Sequence, residues 1–313
     1  MPVREDASVE ALNLLKDDHF CQLMVEAASN NWQGNVLNYT LSGIPVMIQK
    51  KYKIVVAHPD DEIIFFNSVL EDSRRVVICF GPSYKAQDSI VRQSLKNVYP
   101  LNNVEFLDLC KSNVYDPFSF KKRVVIVEGV SVAQNLLEYK NNYNVLVARL
   151  RDKLEDNDVV FTHNPWGEYG HPEHVQVFNA ILSLKEEFRL KIFVSSYVSD
   201  KSWEFMTRRI NLLADDYLIG KPSGELGEKF KKIYMNCNCW TWSMNYSWPV
   251  IELFYPIFDG VIDEKKVIGN NGDLISYPPL NNFSHSFTCG VFKGFKYKLI
   301  STGVQLLKKI KYP

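Results

Sequence analysis

Apolar residues from Val9 to Ala28 recur at helical spacing, with Leu12, Leu15, Phe20, Leu23 and Met24 on one face. Asn30-Asn31 then provides an exit, so the pattern predicts an N-terminal helix. Val36 to Ile48 places Tyr39, Leu41, Ile44, Val46 and Ile48 around the turn signal Ser42-Gly43, with Pro45 behind it, and predicts a hairpin. From Lys53-Ile54-Val55-Val56-Ala57 onwards the pattern changes. Short continuous apolar runs at Arg75 to Phe80, Val104 to Leu109, Val124 to Val130, Asp158 to Thr162 and Ile192 to Val198 alternate with helical stretches. The helical stretches begin at Ile63 and include Asp88 to Tyr99, Tyr143 to Leu154 and His174 to Phe188. Strands that are apolar at every position are buried on both faces, so this alternation predicts an α/β fold with a mostly parallel sheet covered by helices on both sides.

After Gly220 the pattern loosens. A helix near Gly224 to Tyr234 is followed by an aromatic tract (Trp240, Trp242, Tyr246, Trp248, Phe254, Tyr255) and several Pro and Gly turns. The organisation predicted is an N-terminal helix and hairpin extension over 1–50, a core over 51–220, and a C-terminal extension over 221–313 that completes the substrate side and ends in a basic tail. The 313 residues are 46% hydrophobic and 13% aromatic, enough to bury a sizeable core.

Lys plus Arg equal Asp plus Glu at 36 each, so no overall field draws the chain to nucleic acid, and none is expected as a partner. The six cysteines (Cys21, Cys79, Cys110, Cys237, Cys239, Cys289) are scattered through a chain that needs no disulfide staples, which predicts a reducing, cytoplasmic setting. The N-terminus has no basic stretch leading into an apolar run, as a secretory signal would, and no run approaches the roughly 20 apolar residues that cross a bilayer. The stretch from His285 to Pro313 carries six lysines and no acidic residue, interleaved with apolar positions, which leaves peripheral contact with an anionic membrane open beside a solvated helix face.

Two motifs carry chemistry. His58-Pro59-Asp60-Asp61-Glu62 follows the first core strand at the start of a helix, where ligands bind in parallel sheets. Tyr169-Gly170-His171-Pro172-Glu173-His174 follows the strand Val159 to Thr162 and again precedes a helix. Imidazole and carboxylate are ligands for zinc, ferrous iron or another divalent ion, and two histidines three apart share a helix face. The motifs together offer His, Asp and His from two strand ends, with coordination positions left over for water and substrate, as a catalytic metal site requires. Cys237 and Cys239 lack a second pair nearby and read as incidental.

The strand Val55-Val56-Ala57 followed by His58-Pro59-Asp60-Asp61-Glu62, with the later Gly170-His171-Pro172-Glu173-His174, resembles the LmbE-like/PIG-L superfamily of metal-dependent N-acetyl-sugar deacetylases. The resemblance spans about Lys53 to Val198. It implies a Rossmann-like fold, zinc as cofactor and hydrolysis of the acetamido group of a GlcNAc-type sugar or glycoconjugate. On the family's pattern His58, Asp61 and His174 are metal ligands and Asp60 is the general base. His171 stabilises the oxyanion or protonates the leaving amine, Tyr169 helps polarise the carbonyl, and Arg92 contacts substrate. Glu62 acquires no role. Leu107-Asp108-Leu109 departs from a glycine and aspartate that relatives carry, where Asp108 or Asp116 could substitute. Two rivals stand beside this reading: a deacylase of another small amide, and a sugar-binding protein that keeps the fold without turnover.

Overall fold

A computed structural model describes residues 37–39, 45–47, 52–81, 94–112, 114, 125–127, 130–132, 135–199, 202–214, 217–259 and 281–282. The expected helix over 9–28, Arg92, Asp116 and the basic tail lie outside the described residues.

In chain order the strands and helices are β1 (Leu37–Tyr39), β2 (Pro45–Met47), β3 (Tyr52–Val56), α1 (Asp61–Leu70), β4 (Arg75–Phe80), β5 (Val104–Leu109), β6 (Val125–Val127) and β7 (Val130–Val132). They continue as α2 (Leu136–Arg151), β8 (Val159–Thr162), α3 (Pro172–Ser183), α4 (Lys185–Phe188), β9 (Lys191–Ser195), β10 (Tyr197–Val198) and α5 (Trp203–Arg209). The last are β11 (Tyr217–Gly220), α6 (Gly224–Asn236), β12 (Glu252–Pro256) and β13 (Asn281–Asn282).

Among the described residues, nine strands form one mixed sheet in the order β2-β1-β11-β12-β9-β8-β3-β4-β5. The run β9-β8-β3-β4-β5 is parallel throughout. The predicted hairpin β1–β2 pairs antiparallel and joins the sheet through β11, and β12 pairs antiparallel with β11 and β9. The chain runs outward from β3 to β4 and β5 on one side, then returns to place β8 and β9 on the other. Such a reversal opens a crevice at the carboxyl ends of the strands, here between β3 and β8.

Alternation along the strands builds two cores, because successive side chains point to opposite faces. Val55, Val77 and Val160 face a layer with Leu146, Leu150, Val177 and Ile181. Ile54, Val56, Ile78 and Phe161 face the other layer, with Phe65, Phe66, Leu70, Phe230 and Tyr234.

Two strand expectations differ from the structure. Val124 to Val130 reads as a sheet strand, but β6 and β7 pair with each other in a separate hairpin, and among the described residues β5 is the last strand on its side of the sheet. Ile192 to Val198 reads as one strand, but it breaks at Ser196. The amide of Asn164 donates to the carbonyls of both Ser195 and Tyr197 at 3.1 and 2.8 Å, taking acceptors that a continuous ladder would use.

Helix α1 carries the first motif, and all ten of its residues are buried. Its helical geometry is interrupted at Phe66 (φ −138°, ψ 24°). The break frees the amides of Asn67 and Ser68, and both donate to the buried carboxylate of Glu252 on β12, at 3.2 and 2.9 Å. The Ser68 hydroxyl donates to the same carboxylate at 2.6 Å. Gly220 must be glycine for this approach, since a Cβ there would lie 2.0 Å from Ser68 Oγ. The antiparallel half of the sheet thereby fixes the helix whose first turn bears Asp61 and Glu62.

Burial raises the Glu252 carboxyl to about 7, against the opposing pull of its Ser68 and Asn67 hydrogen bonds. The unfolded carboxyl titrates near 4.3, so the stability it contributes is present at low pH and lost as pH rises through about 7. Urea unfolding of Glu252→Gln against wild type should show the variant gaining up to ~3 kcal/mol relative to wild type between pH 4.5 and 8. A difference that stays flat across that range contradicts this assignment.

Candidate active site and metal centre

The ends of neighbouring strands bring the two motifs together. Val55 pairs with Thr162, and the Thr162 hydroxyl donates to the Val55 carbonyl at 2.8 Å, so the loops that follow both strands leave at the same level. The loop after β3 turns sharply: Asp60 adopts φ 89°, a left-handed conformation disfavoured for a residue with a side chain. The loop after β8 contains Gly167, Glu168 and Gly170 at φ 68°, 52° and 87°. A Cβ on Gly167 would lie 2.5 Å from the His171 carbonyl. Asn164 braces that loop, its Oδ1 accepting from the amides of Trp166 and Glu168 at 3.3 and 2.9 Å. Helix α3 begins with His171 as its N-cap and Pro172 in its first turn.

Asp61 Oδ2 is the meeting point. It lies 3.3 Å from His58 Nδ1, 3.3 Å from His174 Nε2 and 3.4 Å from His163 Nε2, and accepts from the His58 amide at 2.7 Å. Two further buried carboxylates hold the rings from behind. Glu173 Oε2 takes His58 Nε2 at 2.7 Å, which leaves the Nδ1 lone pair facing Asp61. Glu168 Oε2 takes His174 Nδ1 at 2.7 Å, leaving Nε2, a buried atom that makes no hydrogen bond. The carboxylates are themselves secured. Glu173 Oε1 accepts from the Ser112 amide and hydroxyl, each at 2.7 Å, and Glu168 Oε1 accepts from Ser195 Oγ at 2.5 Å.

His163 approaches the same point, and Asp61, His163 and His174 come within coordinating distance of one another, as do His58, His171 and His174. The nitrogens of His163 are engaged, however: Nε2 accepts from the Ala57 amide at 2.8 Å and Nδ1 lies 3.0 Å from Glu168. His163 therefore has no lone pair to give a metal. His171 Nδ1 accepts from the Glu173 amide at 3.2 Å, which leaves Nε2 to carry the ring proton. Its ring stacks on His174 at 4.6 Å.

Electrostatics distinguish the carboxylates. Burial works against ionisation of Asp61, but His174, His163 and His58 outweigh it and hold its pKa well below the usual range. Burial likewise opposes ionisation of Glu168 and Glu173, whose histidine partners hold them at about 2. Asp60 is raised well above its ordinary value by burial and by the Asp61 charge, with Thr241 pulling the other way. His58 and His171 are both lowered, by burial first; Lys111 adds to the shift of His58, and His174, His58 and Lys111 to that of His171. His174 is lowered by burial, but Asp61 and Glu168 prevail and raise it to about 9. Three ionised carboxylates thus surround neutral His58 and cationic His174. An excess of negative charge and two imidazole nitrogens turned to Asp61, one of them the buried His174 Nε2, fit a divalent cation once His174 gives up its proton.

The structure brings His58, Asp60, Asp61, Tyr169, His171 and His174 to one place. The Tyr169 ring lies 5.2 Å from His174 and 5.7 Å from Trp242. Glu62, left without a role by the sequence, accepts from the Asp60 amide at 3.1 Å and from the hydroxyls of Tyr99 (3.0 Å) and Tyr234. Burial raises it to about 7. Asp108 is ion-paired with Lys96. Sequence reasoning missed Glu168, Glu173, Ser112, His163 and Thr241. For Glu168 a signal existed, a carboxylate between two glycines in a tight turn; Thr241 had none.

Loading the site requires His174 to lose its proton. Between pH 6 and 8, below its pKa of about 9, zinc affinity measured by chelator competition should rise about tenfold per pH unit. An affinity independent of pH over that range contradicts the assignment of His174. Glu168→Ala, which releases the His174 ring, should weaken zinc binding about 10- to 100-fold.

Residues 53–185 match the family described as PIG-L: GlcNAc-PI de-N-acetylase. No curated protein matches this chain. Among solved structures it is similar to the zinc inhibited form of teicoplanin deacetylase Orf2, at 12% identity and a TM-score of 0.44, over 66% of this chain and 98% of that one. It is also similar to the A40926 pseudoaglycone deacetylase, at 9% identity and a TM-score of 0.42, over 67% of this chain and 98% of that one. The segment from 53 to 185, which matches the PIG-L (LmbE-like) family, holds both motifs and every side chain that meets at Asp61.

Proposed function

We propose that this protein is a metal-dependent N-deacetylase that hydrolyses the acetamido group of an amino sugar or glycoconjugate. The observation that carries the reading is the convergence of His58 Nδ1 and His174 Nε2 on Asp61 Oδ2, with Asp60 adjacent, at the open end of the sheet. His58, Asp61 and His174 would hold the metal, with zinc the first choice and ferrous iron compatible with the same donors. A bound divalent cation supplies Lewis acidity, lowers the pKa of water from about 15.7 towards 7 and draws neighbouring carboxyls back towards ionisation.

Asp60 takes the proton of the attacking water as its oxygen bonds to the amide carbon. Negative charge then grows on the carbonyl oxygen. His171 is suited to meet it as a neutral donor: its pKa is well below 6.5 and its ring proton is on Nε2, since Nδ1 is taken by the Glu173 amide. This favours oxyanion stabilisation over protonation of the amine by an imidazolium. Tyr169, beside both His171 and His174, is a second candidate donor to the carbonyl. The carbon–nitrogen bond breaks, the amine leaves with the proton that Asp60 gained, and the acetic acid formed releases its own proton to solvent as acetate. The family's description supports an N-acetylglucosamine-type substrate, and Trp242, partly buried beside Tyr169, is an aromatic ring of the kind that packs on a pyranose.

Amine release from free, nucleotide-linked and lipid-linked N-acetylglucosamine compounds by the zinc-loaded protein tests the reading. At least one compound should be turned over, and Asp60→Asn should slow it at least about 100-fold with zinc stoichiometry unchanged. Sugar binding that survives while no compound releases amine points to the non-catalytic rival.

A further inference from the structure

Asp60 stands at the N-cap of α1, where an aspartate ordinarily accepts from the amides of the first turn, yet its side chain makes no capping bond. Its backbone is left-handed at φ 89°, which turns the carboxylate away from the helix it precedes. There it meets a residue far along the chain: Thr241 donates to Asp60 Oδ2 from its hydroxyl at 2.7 Å and from its amide at 3.3 Å. Asp60 Oδ1 has no hydrogen bond among the described residues. One oxygen is thus held twice and the other is left for chemistry.

Thr241 is itself exposed, and it is the chain on either side of it that is held. The Cys239 amide donates to the Tyr234 carbonyl at 2.7 Å as the chain leaves α6. Trp240 Nε1 donates to the Ser243 carbonyl at 3.2 Å across a short turn, and the Trp242 ring lies 5.9 Å from Phe65 and 5.6 Å from Tyr246. Trp248 closes the segment against α6, where a Cβ on Gly227 would come within 2.3 Å of its ring. The aromatic tract thereby fixes the segment that carries Thr241, and this tract lies outside the matched segment 53–185.

We infer that Thr241 is a positioning residue for the deacetylation: by binding Asp60 Oδ2 through two donors it fixes the carboxylate so that Oδ1 receives the proton of the attacking water. The inference rests on the deacetylase reading above. A side chain that touches neither substrate nor metal in this role should alter turnover and leave binding intact.

The test compares wild type, Thr241→Val and Thr241→Ser as zinc-loaded full-length proteins, on whichever N-acetylglucosamine compound wild type turns over. Valine keeps the shape and removes the hydroxyl donor, so kcat should fall about 10- to 100-fold while KM and zinc affinity stay within about twofold. Serine restores the donor and should recover kcat to within about threefold of wild type. An unchanged kcat in Thr241→Val overturns the inference, as does a loss of zinc affinity or of KM that serine fails to recover. Should wild type release no amine, the deacetylase reading falls, and the hold on Asp60 is judged by the carbon-13 resonance of its carboxyl, assigned with Asp60→Asn. A resonance displaced in Thr241→Val and recovered in Thr241→Ser supports the hold, and one that does not move overturns it.

Discussion

Three imidazoles contact one carboxylate oxygen, Asp61 Oδ2, and each comes from a different place in the chain: His58 from the turn after β3, His163 from the end of β8, and His174 from α3. A buried carboxylate is costly unless charges and hydrogen bonds compensate it, so the protonated His174 ring at 3.3 Å and the His58 amide, which donates at 2.7 Å, are a condition for Asp61 to be ionised inside the protein at all. Each ring in turn needs its other nitrogen satisfied. Glu173 and Glu168 do this for His58 and His174, the Ala57 amide and Glu168 do it for His163, and Ser112 and Ser195 secure the two glutamates. Removing any member leaves another buried polar group unpaired, which is why the network specifies one arrangement of side chains.

That arrangement depends on the sheet. Parallel pairing of β3 with β8 puts the two motif loops at one edge, and left-handed turns at Asp60 and at Gly167 to Gly170 aim their side chains into the crevice. The antiparallel half contributes at a distance. Glu252 on β12 fills the break in α1 and fixes the helix that presents Asp61, while the segment after α6 delivers Thr241 to Asp60. The first motif is therefore held by residues nearly two hundred positions away.

Much of this was legible in the sequence. Continuous apolar runs marked the buried parallel strands, because burial on both faces leaves no alternation to read. The His-Pro-Asp-Asp-Glu and His-Pro-Glu-His motifs marked side chains that meet in one crevice, because both follow strands that pair in parallel. The run from Val124 to Val130 misled for the same reason that the strands were readable: apolar composition does not say which partner a short strand takes. Glu173 stood inside the second motif and Glu168 one residue before it, but nothing in their spacing says that they face histidines rather than solvent. Thr241 and Glu252 were beyond reach, since a contact across such a separation is a property of packing, and a lone threonine or glutamate carries no periodic mark.

The central claim is that two buried glutamates present His58 through Nδ1 and His174 through Nε2 to a cation shared with Asp61. Anomalous diffraction from crystals of the zinc-loaded protein tests this most directly. The account predicts zinc within about 2.0 to 2.3 Å of His58 Nδ1, His174 Nε2 and an Asp61 oxygen, with His163 uncoordinated and still bonded to the Ala57 amide. Zinc bound through His163, or bound away from Asp61, would contradict it.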